Sequence, residues 1–583
     1  MSLGQASFGP WWLSRRLAGW MWRFEHAFER ARASGRAEDD TRIRIFFVLA
    51  LFSLGFVVLA IGATHAALFS KAGEGDGYAP PIGAARADLV DRNGQMLAAD
   101  LLHYGLYIDP REIWDSNETR RALAANLPDL TPERLERALR AGRRTFVIGG
   151  LTPDVRAKVH DLGLPGVSFE PEQKRVYPLG YTAAHLVGFA DTGGEGLAGA
   201  EAALNEDIRS AATNHGVVPL SIDLRVQAAL EDELYKAAAE FHPKGAVGLV
   251  TNVDTGEILG MASFPTFDPN QPGEASNNAR LDRAAASVFE MGSVFKGFTM
   301  AIGLDTGAAT LQTTFDATHP LQIGYRTIHD YHATHAMLTM VEVFQHSSNI
   351  GTARLALAIG PDRLSRYFKN LGLTQPAKVE LRESARPLTP RVWNEDAIAS
   401  TSFGEGIDVS PLTLARAYGA LLNGGYVLPL TIRKLAPGAR VTGPKVISDR
   451  TSAEVLELMR ANVNCACGSG KSAEVPGLNV GGKTGTGNKY DPAIRHYSKT
   501  KQVSSFAAAF PTDGPPSAQR YFVFILMDEP QRGKNGADPT GGIVAAPAVG
   551  KVIERIAPFL GVRPRPPFTP FALDATADAG EEH

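Results

Sequence analysis

The chain has 583 residues, which is too long for one compact core and predicts two or three domains. With 44% hydrophobic and 21% charged residues, its composition is that of a globular protein able to bury a large core. A net charge of −3 excludes a broadly basic surface, so nucleic acid is not an expected partner.

Residues 1–44 form a basic segment with eight arginines, five acidic residues and four of the six tryptophans of the chain. Its apolar side chains recur at helical spacing, with arginines off that stripe, at Leu13, Leu17, Trp20, Phe24 and Phe28. This pattern predicts an amphipathic helix on the cytoplasmic surface of a lipid bilayer. A disordered basic tail is the alternative.

An uncharged stretch of nineteen residues, Ile45–Ala63, comes next. A helix of that length spans roughly 30 Å of hydrocarbon, so we predict a transmembrane helix over 45–67. A cleaved signal peptide is the alternative, but its apolar region runs to only about 7–15 residues. The arginines before the span place the N-terminus in the cytoplasm, and a linker over 68–85 leads to the exported part of the chain. The chain is therefore expected to be a single-pass membrane protein.

Residues 86–241 mix short strand-like pieces, such as HYGLYIDP, with charged helical ones, such as TPERLERALRAG. No nucleophile or metal-ligand constellation stands out among them. We therefore predict a mixed α/β spacer domain.

Residues 242–561 predict an α+β domain. The domain opens with two strand patterns, AVGLVTNV and EILGMASF, which are joined by a turn at Asp254-Thr255-Gly256. Helical patterns follow. Three further strand patterns come after them: LNVGGKTGTG, QVSSFAAAF and RYFVFILM. This order indicates an antiparallel sheet built from both ends of the domain, with helices on its faces. Pro547 should break or kink the closing helix, and a tail over 562–583 is predicted to be disordered.

The stretch FEMGSVFKGFTMAIGL, residues 289–304, places Ser293 and Lys296 three positions apart at the start of an apolar run. On a helix the two side chains lie on one face, so the hydroxyl has an amine within reach. The first turn of a helix also favours developing negative charge. The pattern predicts a serine nucleophile.

Two further motifs follow this S-x-x-K in order: Ser347-Ser348-Asn349 and Lys483-Thr484-Gly485. Each is weak alone, since Ser498–Lys501 also fits S-x-x-K and Ser276–Asn278 also fits S-x-N. Ser498 has no apolar helix behind it, and Ser276 precedes the nucleophile. The ordered set of three motifs is the combination found in penicillin-recognising enzymes.

Further segments resemble class B penicillin-binding proteins, and within that class the division-specific peptidoglycan D,D-transpeptidases: LVDRNGQMLA (89–98), GLAGAE (196–201) and FGEGIDVSPLTLARAYGALLNGG (403–425). The resemblance covers residues 45–560, and it implies a dimerisation-type pedestal over 86–241 and a transpeptidase domain over 242–561 with a five-stranded antiparallel sheet. Arg86-Ala87 and Met291-Gly292 depart from the Arg-Gly and Pro-Gly that are usual in the family.

The chemistry of acyl transfer assigns roles to the motif residues. A serine hydroxyl must pass its proton to a base as it attacks, and Lys296 can be that base only when it is neutral. Burial and the second cation, Lys483, should both lower its pKa. Ser347 is then a proton relay toward the leaving amine. Asn349 would hydrogen-bond the substrate amide and Lys296.

The resemblance implies further roles on the K-T-G strand. Lys483, Thr484 and Thr486 would bind the terminal carboxylate of the substrate, and the backbone N–H groups of Ser293 and Thr486 would form the oxyanion hole. Gly482 and Gly485 either let the substrate approach the strand closely or mark a bulge.

The resemblance implies 4→3 cross-linking of D-Ala-D-Ala stem peptides in septal wall synthesis, with β-lactams as inhibitors. An FtsW-like glycan polymerase and other division proteins are the expected partners, and no metal or cofactor is needed. The alternatives are a D,D-carboxypeptidase or β-lactamase-like hydrolase, and an elongation-type class B transpeptidase. Fast hydrolysis needs a base that holds a water, and no glutamate stands out for that task.

Two other groups have simpler interpretations. Cys465 and Cys467 are too few for a structural zinc site, and two unpaired thiols are favoured over a loop disulfide. His329, His332 and His335 are favoured as the rim of the cleft over a zinc site.

Overall fold

The computed structural model describes residues 85–491, 496–515, 517–533 and 536–566, together with isolated positions between 19 and 60. The chain divides into two compact units, residues 1–78 with 141–145 and the remainder. In the described part of the chain, no helix is both long enough and apolar enough to cross a bilayer. Apart from those isolated positions and Ala85, the predicted amphipathic segment, span and linker lie outside the described residues.

The spacer region contains a mixed sheet with helices. Its strands are β1 (Asp88–Val90), β2 (Met96–Ile108), β3 (Thr145–Leu151), β4 (Val167–Val176) and β5 (Val217–Pro219). Its helices are α1 (Ser116–Asn126), α2 (Pro132–Leu139), α3 (Pro153–His160), α4 (Ala184–Val187), α5 (Gly199–Ala203) and α6 (Asn205–Ala212). The strand order is β3-β2-β1-β5, with β4 also paired to β2. β1 runs antiparallel to β2 and parallel to β5, so the sheet is mixed.

A buried ionic cluster ties this sheet to α5. The Glu201 carboxylate accepts hydrogen bonds from the guanidinium groups of Arg86 and Arg175, and Arg175 also donates to Asp100 at 3.1 Å. Buried charges are tolerated only when they are paired in this way. Ala87, where the family usually has glycine, is buried beside the cluster.

The second domain is larger. Its strands are β6 (Gly245–Asn252), β7 (Ile258–Phe264), β8 (Phe289–Glu290), β9 (Thr314–Asp316), β10 (Leu321–Ile323), β11 (Arg326–Ile328), β12 (Met337–Thr339), β13 (Asp408–Val409), β14 (Gly481–Asp491), β15 (His496–Phe510) and β16 (Tyr521–Asp528). Its helices are α7 (Leu224–Phe241), α8 (Asn277–Arg280), α9 (Arg283–Ala286), α10 (Lys296–Asp305), α11 (Met340–Gln345), α12 (Asn349–Ile359), α13 (Pro361–Asn370), α14 (Glu395–Ser402), α15 (Pro411–Leu422), α16 (Asp449–Asn464), α17 (Gly541–Val544) and α18 (Ala546–Ile556).

The central sheet has five strands in the order β14-β15-β16-β6-β7, and every neighbouring pair is antiparallel. Side chains of β16 alternate between two cores, as the period of a strand requires. Phe522 and Phe524 face the core that contains α10 and α15, whereas Val523 and Ile525 face the core that contains α7 and α18. The predicted five-stranded antiparallel sheet with helices on both faces is therefore confirmed.

Three details differ from or refine the expectations. Helix α7 packs its apolar face on this sheet, although the predicted boundary of 241/242 leaves it with the spacer; the boundary itself stays a prediction. The closing helix breaks before Pro547, as predicted, into α17 and α18. Arg565 donates its backbone N–H to the Gly477 carbonyl at 2.8 Å, and the predicted disorder of residues 562–583 stays a prediction. Residues 567–583 lie outside the described residues.

Candidate active site

Ser293 lies in a 3₁₀ turn, Gly292–Phe295, that runs directly into α10. The prediction placed Ser293 in the first turn of the α-helix, and the observed turn is tighter. Side chains three residues apart in a 3₁₀ turn eclipse one another, which keeps Ser293 and Lys296 on one side. Ser293 is half-buried, and its hydroxyl forms no hydrogen bond with any described residue.

The core holds this turn from behind. The rings of Phe295 and Phe298 are fully buried and meet edge to face, with centroids 5.5 Å apart. The Tyr418 hydroxyl donates a hydrogen bond to the Val294 carbonyl. The phenylalanines are core residues, as expected, and they fix the position of the turn.

Lys296 is completely buried and reaches the S-x-N motif. Its Nζ donates to the Ser347 carbonyl, to the Ser347 hydroxyl at 3.0 Å and to Asn349 Oδ1 at 2.8 Å. Lys483, on β14, is also completely buried, and its Nζ lies 3.0 Å from the same Ser347 hydroxyl. The structure therefore brings residues of all three motifs together around Ser347.

Burial controls the charge state of both amines. Burial lowers the pKa of Lys296 to about 7, and the negative charges of Asp330 and Glu405 oppose a further fall. The pKa of Lys483 is lowered well below its usual value, first by burial and then by the charge of Lys296. The predicted lowering of the Lys296 pKa is confirmed, and burial is its cause. The predicted effect of the second cation is found instead on Lys483, whose pKa the charge of Lys296 lowers.

Ser347 occupies a strained position between α11 and α12. Its φ is +58°, a left-handed conformation that is uncommon for a non-glycine residue. The neighbouring Ser348 caps α12, since its hydroxyl accepts from the Gly351 N–H at 3.0 Å. Asp330 holds the loop, because it accepts from the Ser348 hydroxyl at 2.7 Å and from the Ile350 N–H at 3.0 Å.

Asp330 is one functional residue that sequence analysis missed. It lies inside TIHDYHATHAM, where only the histidines were considered. His329, His332 and His335 are all exposed, and the His329 carbonyl accepts from Asn349 Nδ2 at 3.0 Å. No metal-ligating cluster occurs among the described residues. The loop thus borders the site through its backbone and Asp330.

The K-T-G strand, β14, is an edge strand of the central sheet and lies against the nucleophile turn. A Cβ added at Gly485 would be 2.4 Å from the Met291 carbonyl oxygen, and one added at Gly482 would be 2.4 Å from the Phe506 ring. The contacts of β14 with Met291 and Phe506 thus require glycine at both positions, independently of any approach of the substrate to the strand. Thr486 Oγ1 accepts from the Gly541 N–H at 3.1 Å.

Ser469 is a second residue that sequence analysis missed. Its hydroxyl lies 2.8 Å from Thr484 Oγ1 and 3.5 Å from Lys483 Nζ. It belongs to the loop after α16, where Cys465 and Cys467 form a disulfide. The favoured interpretation of two unpaired thiols is therefore wrong. A C-x-C spacing could have indicated the pairing, but nothing local indicated contact with β14.

Two carboxylates near the nucleophile turn also escaped notice. Glu405 pairs with Arg326, and burial raises its pKa. Glu290 accepts from the Gly406 N–H and from the Tyr497 hydroxyl, and burial raises its pKa to about 7. Both carboxylates already have protein partners.

The rival motifs have structural roles. Ser276 caps the short helix α8 by accepting from the Ala279 N–H at 3.2 Å. The Ser498 hydroxyl lies on β15 and accepts from the Lys501 N–H at 3.0 Å.

Comparison with known families identifies both parts of the chain. Residues 246–554 match the penicillin binding protein transpeptidase domain, and residues 81–207 match the penicillin-binding protein dimerisation domain. The first match spans more than half of the chain and contains all the motif residues described above.

Individual relatives agree with these matches. The chain is 63% identical over 565 residues to the probable peptidoglycan D,D-transpeptidase FtsI of Caulobacter vibrioides, covering 96% of each protein. It is 29% identical to the peptidoglycan D,D-transpeptidase FtsI of Escherichia coli K12, covering 83% of this chain and 85% of that one. The apo transpeptidase domain of penicillin-binding protein 3 from Burkholderia pseudomallei is 31% identical, with a TM-score of 0.53, covering 60% of this chain and 98% of that domain.

Proposed function

This chain belongs to the class B penicillin-binding proteins, and we propose that it is an FtsI-type peptidoglycan D,D-transpeptidase that uses Ser293 to cross-link the septal cell wall. The observation that carries the site assignment is the Ser347 hydroxyl, which lies 3.0 Å from the Nζ atoms of both Lys296 and Lys483. The family membership supports the reaction class, and this geometry supports a proton path through Ser347.

The proposed reaction has two acyl-transfer steps. Neutral Lys296 takes the proton of the Ser293 hydroxyl as Ser293 attacks the D-Ala-D-Ala carbonyl. Ser347 passes a proton to the leaving D-alanine amine. The amino group of a neighbouring stem peptide then attacks the acyl-enzyme, which gives a 4→3 cross-link and restores Ser293. β-Lactams would acylate the same serine.

Substrate binding is assigned to the edge strand. Lys483, Thr484 and Thr486 would hold the terminal carboxylate, with Gly485 allowing the strand to lie against the nucleophile turn. The backbone N–H groups of Ser293 and Thr486 would form the oxyanion hole. Support comes from β14 being an edge strand, since alternate N–H groups of such a strand face away from the sheet. Asn349 would orient the substrate amide.

Labelled penicillin separates transfer from hydrolysis. With the detergent-solubilised full chain, a long-lived adduct on Ser293 supports the transpeptidase. Rapid turnover of the adduct would instead support a carboxypeptidase or β-lactamase-like hydrolase. Depletion in the native cell separates division from elongation: filaments with unfinished septa support the septal role, and rounded cells contradict it.

We further propose that residues 45–67 anchor the protein in the inner membrane, with the pedestal (86–241) and transpeptidase (242–561) domains in the periplasm. The described positions Val48, Phe52, Phe56 and Leu59 are helical, and their apolar side chains are exposed. Exposed apolar side chains at this spacing suit a lipid-facing helix. Retention of the protein in the membrane fraction after a carbonate wash, and its release when residues 1–67 are removed, would test the anchor.

The pedestal is the proposed contact region for an FtsW-like glycan polymerase and other division proteins. Septal localisation and co-purification after deletion of residues 86–223, which keeps α7 on the central sheet, test this proposal. Unchanged localisation and co-purification would contradict it.

A further inference from the structure

A short loop connects α16 to the turn before β14, and a disulfide bridges its first and third residues. Cys465 ends α16, and its sulfur is bonded to that of Cys467. The Gly468 N–H donates to the Cys465 carbonyl at 3.1 Å. We call residues 465–470 the disulfide loop.

Ser469 points from the disulfide loop to the K-T-G strand. Thr484 Oγ1 donates to the Ser469 hydroxyl at 2.8 Å, and Lys483 Nζ lies 3.5 Å from it. The Thr484 hydroxyl and the Lys483 amine are two of the groups proposed above to bind the substrate carboxylate. The Ser469 hydroxyl therefore contacts two groups of the proposed carboxylate site.

The loop is joined to the strand by a second route through Asn462. Asn462 Oδ1 accepts from the Ser469 N–H at 3.1 Å and from the Ser469 hydroxyl at 3.2 Å, while Asn462 Nδ2 donates to the Gly482 carbonyl at 2.8 Å. A Cβ at Gly468 would lie 1.9 Å from the Asn462 carbonyl oxygen, so the loop lies directly on the end of α16. Ser469 thus sits between a buried asparagine and the strand.

We propose that Ser469 is a positioning residue for carboxylate recognition, which holds the Thr484 hydroxyl and the Lys483 amine in place, and that the Cys465–Cys467 disulfide keeps Ser469 there. The inference rests on the proposed roles of Lys483 and Thr484. It adds a residue and a redox-sensitive cross-link that the three motifs do not contain.

The cross-link makes the position of Ser469 sensitive to dithiols. A dithiol transfers two electrons and two protons: the Cys465–Cys467 bond breaks, two thiols form, and the dithiol becomes a cyclic disulfide. Reduction removes the closure of a very short loop and so widens the range of positions open to Ser469. Weaker recognition of the substrate carboxylate follows from that change.

The test compares acylation of the full chain by a fluorescent penicillin and by its methyl ester, which lacks the carboxylate. The quantity measured is the ratio of acylation efficiency with the acid to that with the ester, called here the acid-over-ester preference. Ser469→Ala should reduce this preference about tenfold, mainly by raising the concentration of the acid needed for half-maximal acylation. Ser469→Thr, which retains the hydroxyl, should restore the preference. Ser472→Ala is the matched control, because the Ser472 hydroxyl donates to the Gly542 carbonyl and, within the described residues, forms no hydrogen bond with Lys483 or Thr484.

A second experiment tests whether the Cys465–Cys467 disulfide keeps Ser469 in place. Dithiothreitol, or replacement of both cysteines by serine, should lower the same preference in the wild type but change it little in Ser469→Ala. The inference would be overturned if Ser469→Ala kept the wild-type preference or if Ser469→Thr did not restore it. Equal sensitivity of the wild type and Ser469→Ala to dithiothreitol would also overturn it. Because ester acylation persists in a folded site, its retention shows that the variant is intact. Failure of the wild type to form any adduct would instead contradict the proposed function.

Discussion

The Nζ atoms of Lys296 and Lys483 both lie 3.0 Å from one hydroxyl, that of Ser347. A hydroxyl can accept two hydrogen bonds and still has one proton to donate. Both amines are completely buried, so two full positive charges there would repel each other in a medium of low dielectric constant. Burial lowers the pKa of each amine, and the positive charge of Lys296 lowers the pKa of Lys483 further. Ser347 can then carry a proton between them.

Replacing the nucleophile tests the whole assignment. Ser293→Ala should form no covalent penicillin adduct and have no transpeptidase activity, because no other hydroxyl stands in the nucleophile turn. Mass spectrometry of the penicillin-treated protein measures the adduct. Ser498→Ala, which alters the rival S-x-x-K on β15, should be labelled like the wild type. Labelling of Ser293→Ala would contradict the assignment.

The rate of acylation should rise with pH through about 7, the pKa to which burial lowers Lys296. The protonated amine cannot accept the serine proton, so the rate should fall about tenfold per pH unit well below that value and level off above it. Stopped-flow acylation between pH 5 and 9 measures the profile. Lys296→Arg should be inactive throughout, since a guanidinium keeps its proton over this range. A flat profile in the wild type would rule out Lys296 as the base.

Neutralising Asp330 should move that profile to lower pH. The negative charge of Asp330 raises the pKa of Lys296, so Asp330→Asn lowers it and leaves more neutral amine in mildly acidic solution. The midpoint of the pH profile is the quantity to measure. Asp154→Asn, on α3 of the spacer region, is the control and should not shift it. A shift to higher pH would contradict the electrostatic role.

Adjacent serines in the S-x-N motif should separate chemistry from folding. Ser347→Ala removes the hydroxyl between the two amines and should slow acylation about 10²–10⁴-fold, the range for a lost proton-transfer group. Ser348→Ala removes the cap of α12 and should lower the free energy of unfolding by about 1 kcal/mol. Single-turnover acylation and urea unfolding measure the two effects. Equal effects on acylation would remove the reason to assign the relay to Ser347.

Crowding at the nucleophile turn should make Gly292 intolerant of substitution. Its φ is +58°, and an added Cβ would lie 2.7 Å from the Thr486 carbonyl oxygen. Gly292→Ala should therefore cost about 1–3 kcal/mol in backbone strain and also disturb acylation. Gly307→Ala is the matched control, because φ is +69° there but no atom lies within 4 Å of the added Cβ. The control should lower stability and leave acylation unchanged; equal acylation in both variants would contradict the crowding argument.

Much of the fold could be predicted because its causes are local. The turn at Asp254-Thr255-Gly256 specifies a hairpin of neighbouring antiparallel strands, the apolar runs of β15 and β16 indicate buried strands, and Pro547 marks the break between α17 and α18. The interpretation of the cysteines failed because whether two thiols pair depends on the geometry of their loop. Likewise, the packing of α7 on the sheet depends on its neighbours in space.

The sequence by itself determined which groups could react: a serine and a lysine one turn apart, a second serine with an asparagine, and a lysine on a glycine-containing strand. Only the tertiary structure decided that Ser347 lies between two buried amines, that Asp330 holds its loop, and that Ser469 contacts Thr484. The physical reason is that residue type and spacing carry the chemistry of a group, whereas its burial and its distant partners depend on how remote segments pack.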